Sequence, residues 1–374
     1  MHTLFYARES MEVKTSVPPP LTEMNQSNQQ NERYRVALVR WTRDGSGIGD
    51  AIYQELLKQG HEPFYFAVDT KPTQPVDVVF LFGPFGRFLP MLEQLHVALA
   101  DQNPTFIFWN TEGLPDLRLP WPMMASLGSA RSWLGRLQSK SSGESGALLA
   151  KFDPYMIRFR HLGDFLYAHQ RGWIDVFADI SDVYAQIFHS RGIPAVVAPF
   201  GGSQEWYAEL GLCRDIDVLW MGKRATHRRS KLLDQVRAAL RARGVDMYVI
   251  DNEERPFIFD EERTHLLNRT KITLNLLRTW YDENSLRICI AAANRSLVIS
   301  EPLLPHVPHY QAGNHIVTAP VEQLADTIMY YLEHESERQR IAENGHQLVT
   351  TRLTMDYSIK TIMKEVQRSR DSRR

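Results

Sequence analysis

Short, continuously apolar runs alternating with helix-length amphipathic segments constrain this 374-residue chain more than any other feature. The runs fall at 34–40, 62–67, 76–82, 104–109, 174–178 and 194–198, and again at 216–221, 246–250, 271–276, 296–300 and 314–318. Stretches such as "VDVVFLF", "FIFW" and "IDVLWM" do not alternate apolar with polar, so both faces of each strand need cover. Helical patterns between the runs, for example 50–59 and 227–242, supply that cover and the long crossovers that parallel strands require. The expected class is α/β, built on parallel sheets.

The series runs twice. A Gly-rich and then polar break, "APFGGSQEWYAELGLCRDID" at 198–217, separates the two passes, and a chain of this length exceeds one core. This predicts two Rossmann-like domains, over 33–205 and 206–352, facing each other across a cleft with the ligand crevice at the strand carboxyl ends. Residues 1–32 are rich in Pro, Gln, Asn and Ser and bury too little to offset their ordering entropy; they read as a flexible leader. Residues 353–374 read as a helix crossing back to the first domain and a basic tail. The polar "QSKSSGESG" at 138–146 reads as a mobile loop.

With 43 Lys+Arg against 44 Asp+Glu the net charge is -1, which argues against nucleic acid or an anionic membrane as the main partner. The two cysteines, Cys213 and Cys289, imply no disulfide framework. The start "MHTLFYARES" lacks the pattern of a signal peptide, and no run approaches the roughly 18 apolar residues of a spanning helix. A soluble, cytoplasmic protein is the expectation.

Against this neutral background, local clusters of charge stand out. In "MGKRATHRR" a buried strand meets Gly222, and Lys223, Arg228 and Arg229 crowd the turn and the start of a helix, where cations oppose the helix dipole. Such a cluster is explained if it faces an anion such as phosphate; Arg224 and Lys231 read instead as a solvated face. In "LRTWYDENSLRICI" either Asn284 or Ser285 caps a helix, and Arg287 again places a cation in a first turn. Two readings stay open there: amides freed for a phosphate, or a capped helix with a snorkelling arginine.

"GSGIGD" at 45–50 has glycines spaced G-x-G-x-G, not the G-x-G-x-x-G of dinucleotide enzymes, although Asp69 sits near the expected ribose position. Gly45, Ser46 and Gly47 therefore read as a close-approach loop for an acceptor, with a nicotinamide site as the alternative. Glu112, directly after the buried "FIFW", and His161 are the candidate acid/base groups. His306 and His309 in "HVPHY" lack a supporting carboxylate or cysteine set, so no metal is expected.

Residues 216–350 resemble the C-terminal half of the GT-B group 1 glycosyltransferases, closest to the bacterial branch related to CgeB. The matching stretches are "DIDVLWMGKRATHRR", "KITLNL", "SLRICIAAANRSLVIS" and "AGNHIVTAPVEQLADTIMYYLEHESERQRIAENGHQLV". The resemblance implies a GT-B fold and a hexosyltransferase-like enzyme with a nucleotide-sugar co-substrate and no further cofactor, retaining anomeric configuration without a metal. It places Asp282 on a donor hydroxyl, the loop amides on the diphosphate, and Leu286 and Arg287 on the family's helix-opening pair. Ile290 stands where the family has its ribose-binding glutamate. The resemblance thus also allows a GT-B-like binding or scaffolding protein that has lost catalysis, or a sugar epimerase; "GSGIGD" allows an NAD-dependent oxidoreductase.

Overall fold

The computed structural model describes residues 32–40, 47–67, 72–83, 88–140, 153–282, 285–303 and 309–374. All the apolar runs form strands. β1 (Arg35–Arg40), β2 (Glu62–Ala67), β3 (Val78–Phe82), β4 (Thr105–Asn110), β5 (Val176–Asp179) and β6 (Val196–Val197) make a parallel sheet in the order β2-β1-β3-β4-β5-β6. β7 (Ile216–Met221), β8 (Met247–Ile250), β9 (Thr270–Asn275), β10 (Leu297–Ser300) and β11 (Val317–Thr318) make a second parallel sheet in the order β11-β10-β9-β7-β8. Every residue of β3 is buried, as a doubly covered strand requires. In each sheet the order reverses beside the first strand, between β1 and β3 and between β7 and β9. Crossovers leave these points on opposite sides and a crevice opens at the carboxyl ends.

The helices of the first half are α1 (Ile48–Lys58), α2 (Phe88–Ala98), α3 (Trp121–Lys140), α4 (Asp153–Gln170) and α5 (Asp182–His189). Those of the second are α6 (His227–Arg241), α7 (Asp260–Arg269), α8 (Ser285–Ala293), α9 (Leu324–Glu333) and α10 (Glu335–Gln347). α6 shows the local logic: the Thr226 side chain caps it by accepting from Arg229 N, and Leu233, Val236 and Leu240 form its buried stripe. α3 and α4 touch backbone to backbone at Gly128 and Gly163, where a Cβ on Gly163 would overlap the Gly128 carbonyl. That contact sets the position of α4, which carries two residues of the site.

α11 (Met355–Asp371) follows the second sheet in sequence but packs on β4, β5, β6 and α1 of the first. Ser358 Oγ donates to Pro199 O at 2.5 Å where the chain returns. Trp206, 1% exposed, ties the halves together. Its Nε1 donates to Gly47 O (3.4 Å), and its carbonyl accepts from Asn294 Nδ2 (2.9 Å) and Thr264 Oγ1 (3.4 Å). The apolar cluster that fills the first sheet runs on into α8 through Ile288 and Ile290. Among the described residues no helix is long and apolar enough to cross a membrane.

Candidate active site

The carboxyl ends of β4, β7, β9 and β10 bring together five arginines and three carboxylates. Glu112 follows β4, Arg278 lies just past β9, and Glu301 follows β10. Arg228 and Arg229 open α6, Arg287 lies in the first turn of α8, and Arg158 reaches in from α4. Asp282, 1% exposed, is the hub. Its Oδ1 accepts from Arg158 Nη2 at 2.6 Å, and its Oδ2 accepts from Arg278 Nε at 2.9 Å and Arg278 N at 3.1 Å. Arg229 Nη2 lies 3.7 Å from the same Oδ2. Arg278 spans the cleft, donating from both terminal nitrogens to Glu112 Oε2 at 3.2 Å. Tyr184 OH donates to Tyr281 O at 2.7 Å, and Tyr281 OH donates to Pro115 O at 2.6 Å, so the loop after β9 is clamped to the first half.

A second layer lies on the C-terminal side. Arg228 forms an ion pair with Glu301 and donates to Leu277 O at 3.0 Å, while Glu301 Oε1 accepts from Leu277 N at 2.8 Å. Arg229 Nη1 donates to Lys223 O at 3.1 Å, but its buried Nε has no partner. Ser285, 4% exposed, likewise has an unpaired hydroxyl at the opening of α8.

Among the described residues, five guanidinium groups against three carboxylates leave two positive charges uncompensated in a partly buried site. The titration shifts register this imbalance. Burial would raise the Asp282 carboxyl, yet Arg278 and then Arg158 hold it at about 2. Burial, then the neighbouring Arg287, pulls the Arg229 guanidinium down to about 8, with Asp282 opposing. Burial also brings Arg287 to about 10. Arg278 is raised despite its own burial, because Glu112 and Asp282 face it. A bound anion would relieve Arg229 and Arg287 together.

The structure redraws several expected roles. Asp282 is not available to a sugar hydroxyl, because arginines occupy both of its oxygens; it holds the guanidinium groups in place. Arg287 does not snorkel outward from its helix. Its Nε donates to Met221 O and its Nη1 to Asn275 Oδ1, both at 2.8 Å, so carbonyl-rich strand ends draw the cation inward. Gly222, at φ 141°, permits this: a Cβ there would lie 2.5 Å from Arg287 Nη2. Gly222→Ala should therefore cost about 1–3 kcal/mol in chemical denaturation, through backbone strain and a displaced Arg287; an unchanged midpoint would show that the guanidinium needs no such gap. Lys223 is exposed, and Arg224 pairs with Asp251 at 2.7 Å and Asp234 at 2.8 Å, outside the cluster.

His161 and Glu112 line a small cavity of about 20 Å³, room for one water, together with Asn110, Gly113 and Arg158. Burial, then Arg160 and Arg158, push His161 to about 3, so it stays neutral. That removes it as a proton donor and leaves a hydrogen-bonding imidazole whose Nδ1 has no partner. Gly47 is buried at the start of α1 against Trp206 (a Cβ would lie 3.2 Å from its Nε1), so it serves packing between the halves and not an acceptor. Leu286 packs on the shared core, and Ile290 is 5% exposed within it. Gly45, Ser46, Asp69, Asn284 and His306 lie outside the described residues. His309 Nε2 lies 3.7 Å from Asp182, and among the described residues no three His, Cys, Asp or Glu side chains gather as metal ligands.

Sequence reasoning missed Arg158, Arg278 and Glu301. Arg278 and Glu301 carry the same mark that pointed to Glu112, a polar residue just past a buried strand. Arg158 has no such mark, because it sits in a helix.

Residues 227–364 match the family described as "Glycosyl transferase-like". No curated protein matches the sequence significantly. Among solved structures, the chain is similar to sucrose-phosphate synthase from Thermosynechococcus elongatus, with TM-score 0.57 and 12% identity over 91% of this chain and 100% of that one. It is similar also to a glycosyltransferase from Rickettsia africae, with TM-score 0.56 and 12% identity over 90% and 99% of the two chains. Anabaena HepE, solved in complex with UDP-glucose, gives TM-score 0.51 and 10% identity over 91% and 100%. At such identities the likeness is one of fold: two parallel-sheet α/β domains in the GT-B arrangement.

Proposed function

We propose that the protein moves a sugar from a nucleotide-activated donor to an acceptor hydroxyl. One observation carries this reading: among the described residues, the surplus of two guanidinium charges at the ends of β7 and β9, with Arg229 Nε and, at the opening of α8, the Ser285 hydroxyl unpaired. A sugar nucleotide brings two phosphate charges and several acceptor oxygens, which match that surplus in number and chemistry. HepE, of the same fold, was solved with such a ligand, which supports a UDP-type donor here.

In this reading Arg229 and Arg287 neutralise the diphosphate, and the low-dielectric setting makes that worth far more than in water. Glu112 and the neutral His161, on the opposite wall, meet the acceptor or the transferred sugar by hydrogen bonding. The reaction needs no metal, since arginines supply the positive charge that a divalent cation otherwise brings. Retention of configuration, a hexose as the transferred group, membership of the CgeB-like branch and a cytoplasmic setting complete the proposal on the strength of the sequence resemblance.

Calorimetric titration with UDP, GDP, ADP, CDP and dTDP, each also as its sugar conjugate, tests it. At least one pair should bind one-to-one and remain unaffected by EDTA. Absence of binding by all of them overturns the reading. A second reading, a binding protein without turnover, is favoured by Ile290, an apolar core residue where the ribose carboxylate belongs. Tight donor binding with no sugar release to any acceptor or to water would select it.

A further inference from the structure

Of the five guanidinium groups, Arg158 alone comes from the first half of the chain. Its side chain is 10% exposed and reaches across to Asp282 Oδ1 at 2.6 Å. Its second terminal nitrogen makes only a long bond, 3.4 Å, to Leu114 O. Arg158 shares the Asp282 carboxylate with Arg278, which donates to the same Oδ1 from Nη2 at 3.2 Å, and with Arg229, 3.7 Å from Oδ2. Two glycine contacts hold Arg158 in this place. The Gly128–Gly163 crossing positions α4, and Gly113 leaves room for the guanidinium, since a Cβ there would lie 3.2 Å from Arg158 Nη1.

The attachments of this pair are unequal. If Arg158 leaves, Asp282 still accepts from Arg278 through both Nε and the backbone N. Asp282 is therefore not stranded, and the usual penalty for breaking a buried ion pair, an uncompensated charge, does not arise on its side. Arg158 can therefore change partners without stranding Asp282.

We infer that Arg158 is a catalytic residue that exchanges Asp282 for the terminal phosphate of the donor as the glycosidic bond breaks. This rests on the glycosyl-transfer reading above. The bond between the anomeric carbon and the terminal phosphate oxygen breaks, and its electron pair stays on that oxygen. The acceptor hydroxyl oxygen bonds to the anomeric carbon and releases its proton to solvent. The diphosphate thereby passes from two negative charges to three. The exchange adds no charge to the cluster, because Arg158 is already one of its five guanidinium groups; it moves an existing cation onto the oxygen where the third charge develops. An interaction that strengthens as that charge develops lowers the barrier, whereas one equally strong throughout does not.

The test needs no knowledge of the acceptor. The wild type and Arg158→Gln are titrated with UDP and UDP-glucose, and with the other nucleoside diphosphates and their sugar conjugates, near pH 8, where the terminal phosphate is fully ionised. The wild type should bind the free diphosphate about 10- to 100-fold more tightly than the conjugate, the range of a charged hydrogen bond. Arg158→Gln should bring that ratio close to one while leaving affinity for the conjugate within about threefold. Once an acceptor is in hand, the same variant should lower kcat without raising the donor KM. Arg158→Lys should restore part of the ratio, and if the glutamine variant folds poorly a ratio between one and the wild-type value in the lysine variant carries the test. An equal loss of affinity for both ligands, or an unchanged ratio, overturns the inference and leaves the glycosyl-transfer reading standing. A wild type that binds none of the ligands overturns that reading first.

Discussion

Replacing Arg229 by methionine should raise the melting temperature of the ligand-free protein by a few degrees and abolish binding of nucleoside diphosphates. Arg229 is 4% exposed, one nitrogen is unpaired, and its guanidinium faces Arg287 and Arg278. In the empty protein this charge is a liability: its desolvation is only partly offset by Asp282 at 3.7 Å. Methionine fills much of the same volume without charge, and such replacements of buried ionic groups are often stabilising by about 1–4 kcal/mol. The bond from Nη1 to Lys223 O is lost, at about 1 kcal/mol, which leaves the net sign favourable. Affinity runs the other way, because one of the two guanidinium groups assigned to the diphosphate is gone; a drop of more than about 100-fold is expected. Thermal denaturation and calorimetry of one preparation measure both quantities. A variant that is less stable yet binds normally would show Arg229 to be a structural residue.

Asp282→Asn should lower stability by about 3–5 kcal/mol, the largest loss expected from any single change at this site. The substitution raises the surplus of buried positive charge from two to three and leaves Arg158 and Arg278 without their common counter-ion. The pH dependence supplies an internal check. The folded Asp282 carboxyl lies at about 2 against an ordinary value of 3.8, so the unfolded chain takes up this proton first as pH falls. Its contribution, on the order of 2 kcal/mol, is thus fully present above pH 4 or so and is lost as the pH approaches 2. Denaturant unfolding of the wild type should show that acid slope, and the asparagine variant should lack its share of it. Equal slopes in the two proteins would mean that Asp282 titrates normally and that the arginines do not depend on it.

The two variants differ in sign because of burial and partnership, not residue type. Arg229 is a buried charge the empty fold tolerates at a cost, and Asp282 is the charge that makes the other arginines tolerable. Surplus positive charge of this kind is retained where ligand binding needs it, even though the unliganded fold is weakened.

How far the site was legible follows the same division. Glu112, Arg228 and Arg229 were readable because each lies within a few residues of a buried strand or opens the helix after one. Arg278 and Glu301 satisfied the same rule and were overlooked. Arg287 was read correctly as a cation in a first turn, yet its direction was not. Met221 O and Asn275 Oδ1, on two different strands, turn it inward through a gap that Gly222 leaves. Asp282 was placed by analogy on a sugar hydroxyl, and the analogy did not include Arg158, 124 residues earlier in the chain.

Periodicity is a property of neighbouring residues, so the strands, their parallel pairing and the double series of the fold were determined by the sequence itself. The charge cluster depends on contacts that neighbours do not share. Arg158 meets Asp282 only because two glycines let α3 and α4 touch, and Arg278 meets Glu112 only because the halves close on a continuous apolar core around Trp206. Which carboxylate compensates which guanidinium, and hence how much positive charge is left for a ligand, was decided by tertiary structure alone, because Coulomb energies follow distance in space and burial, not separation along the chain.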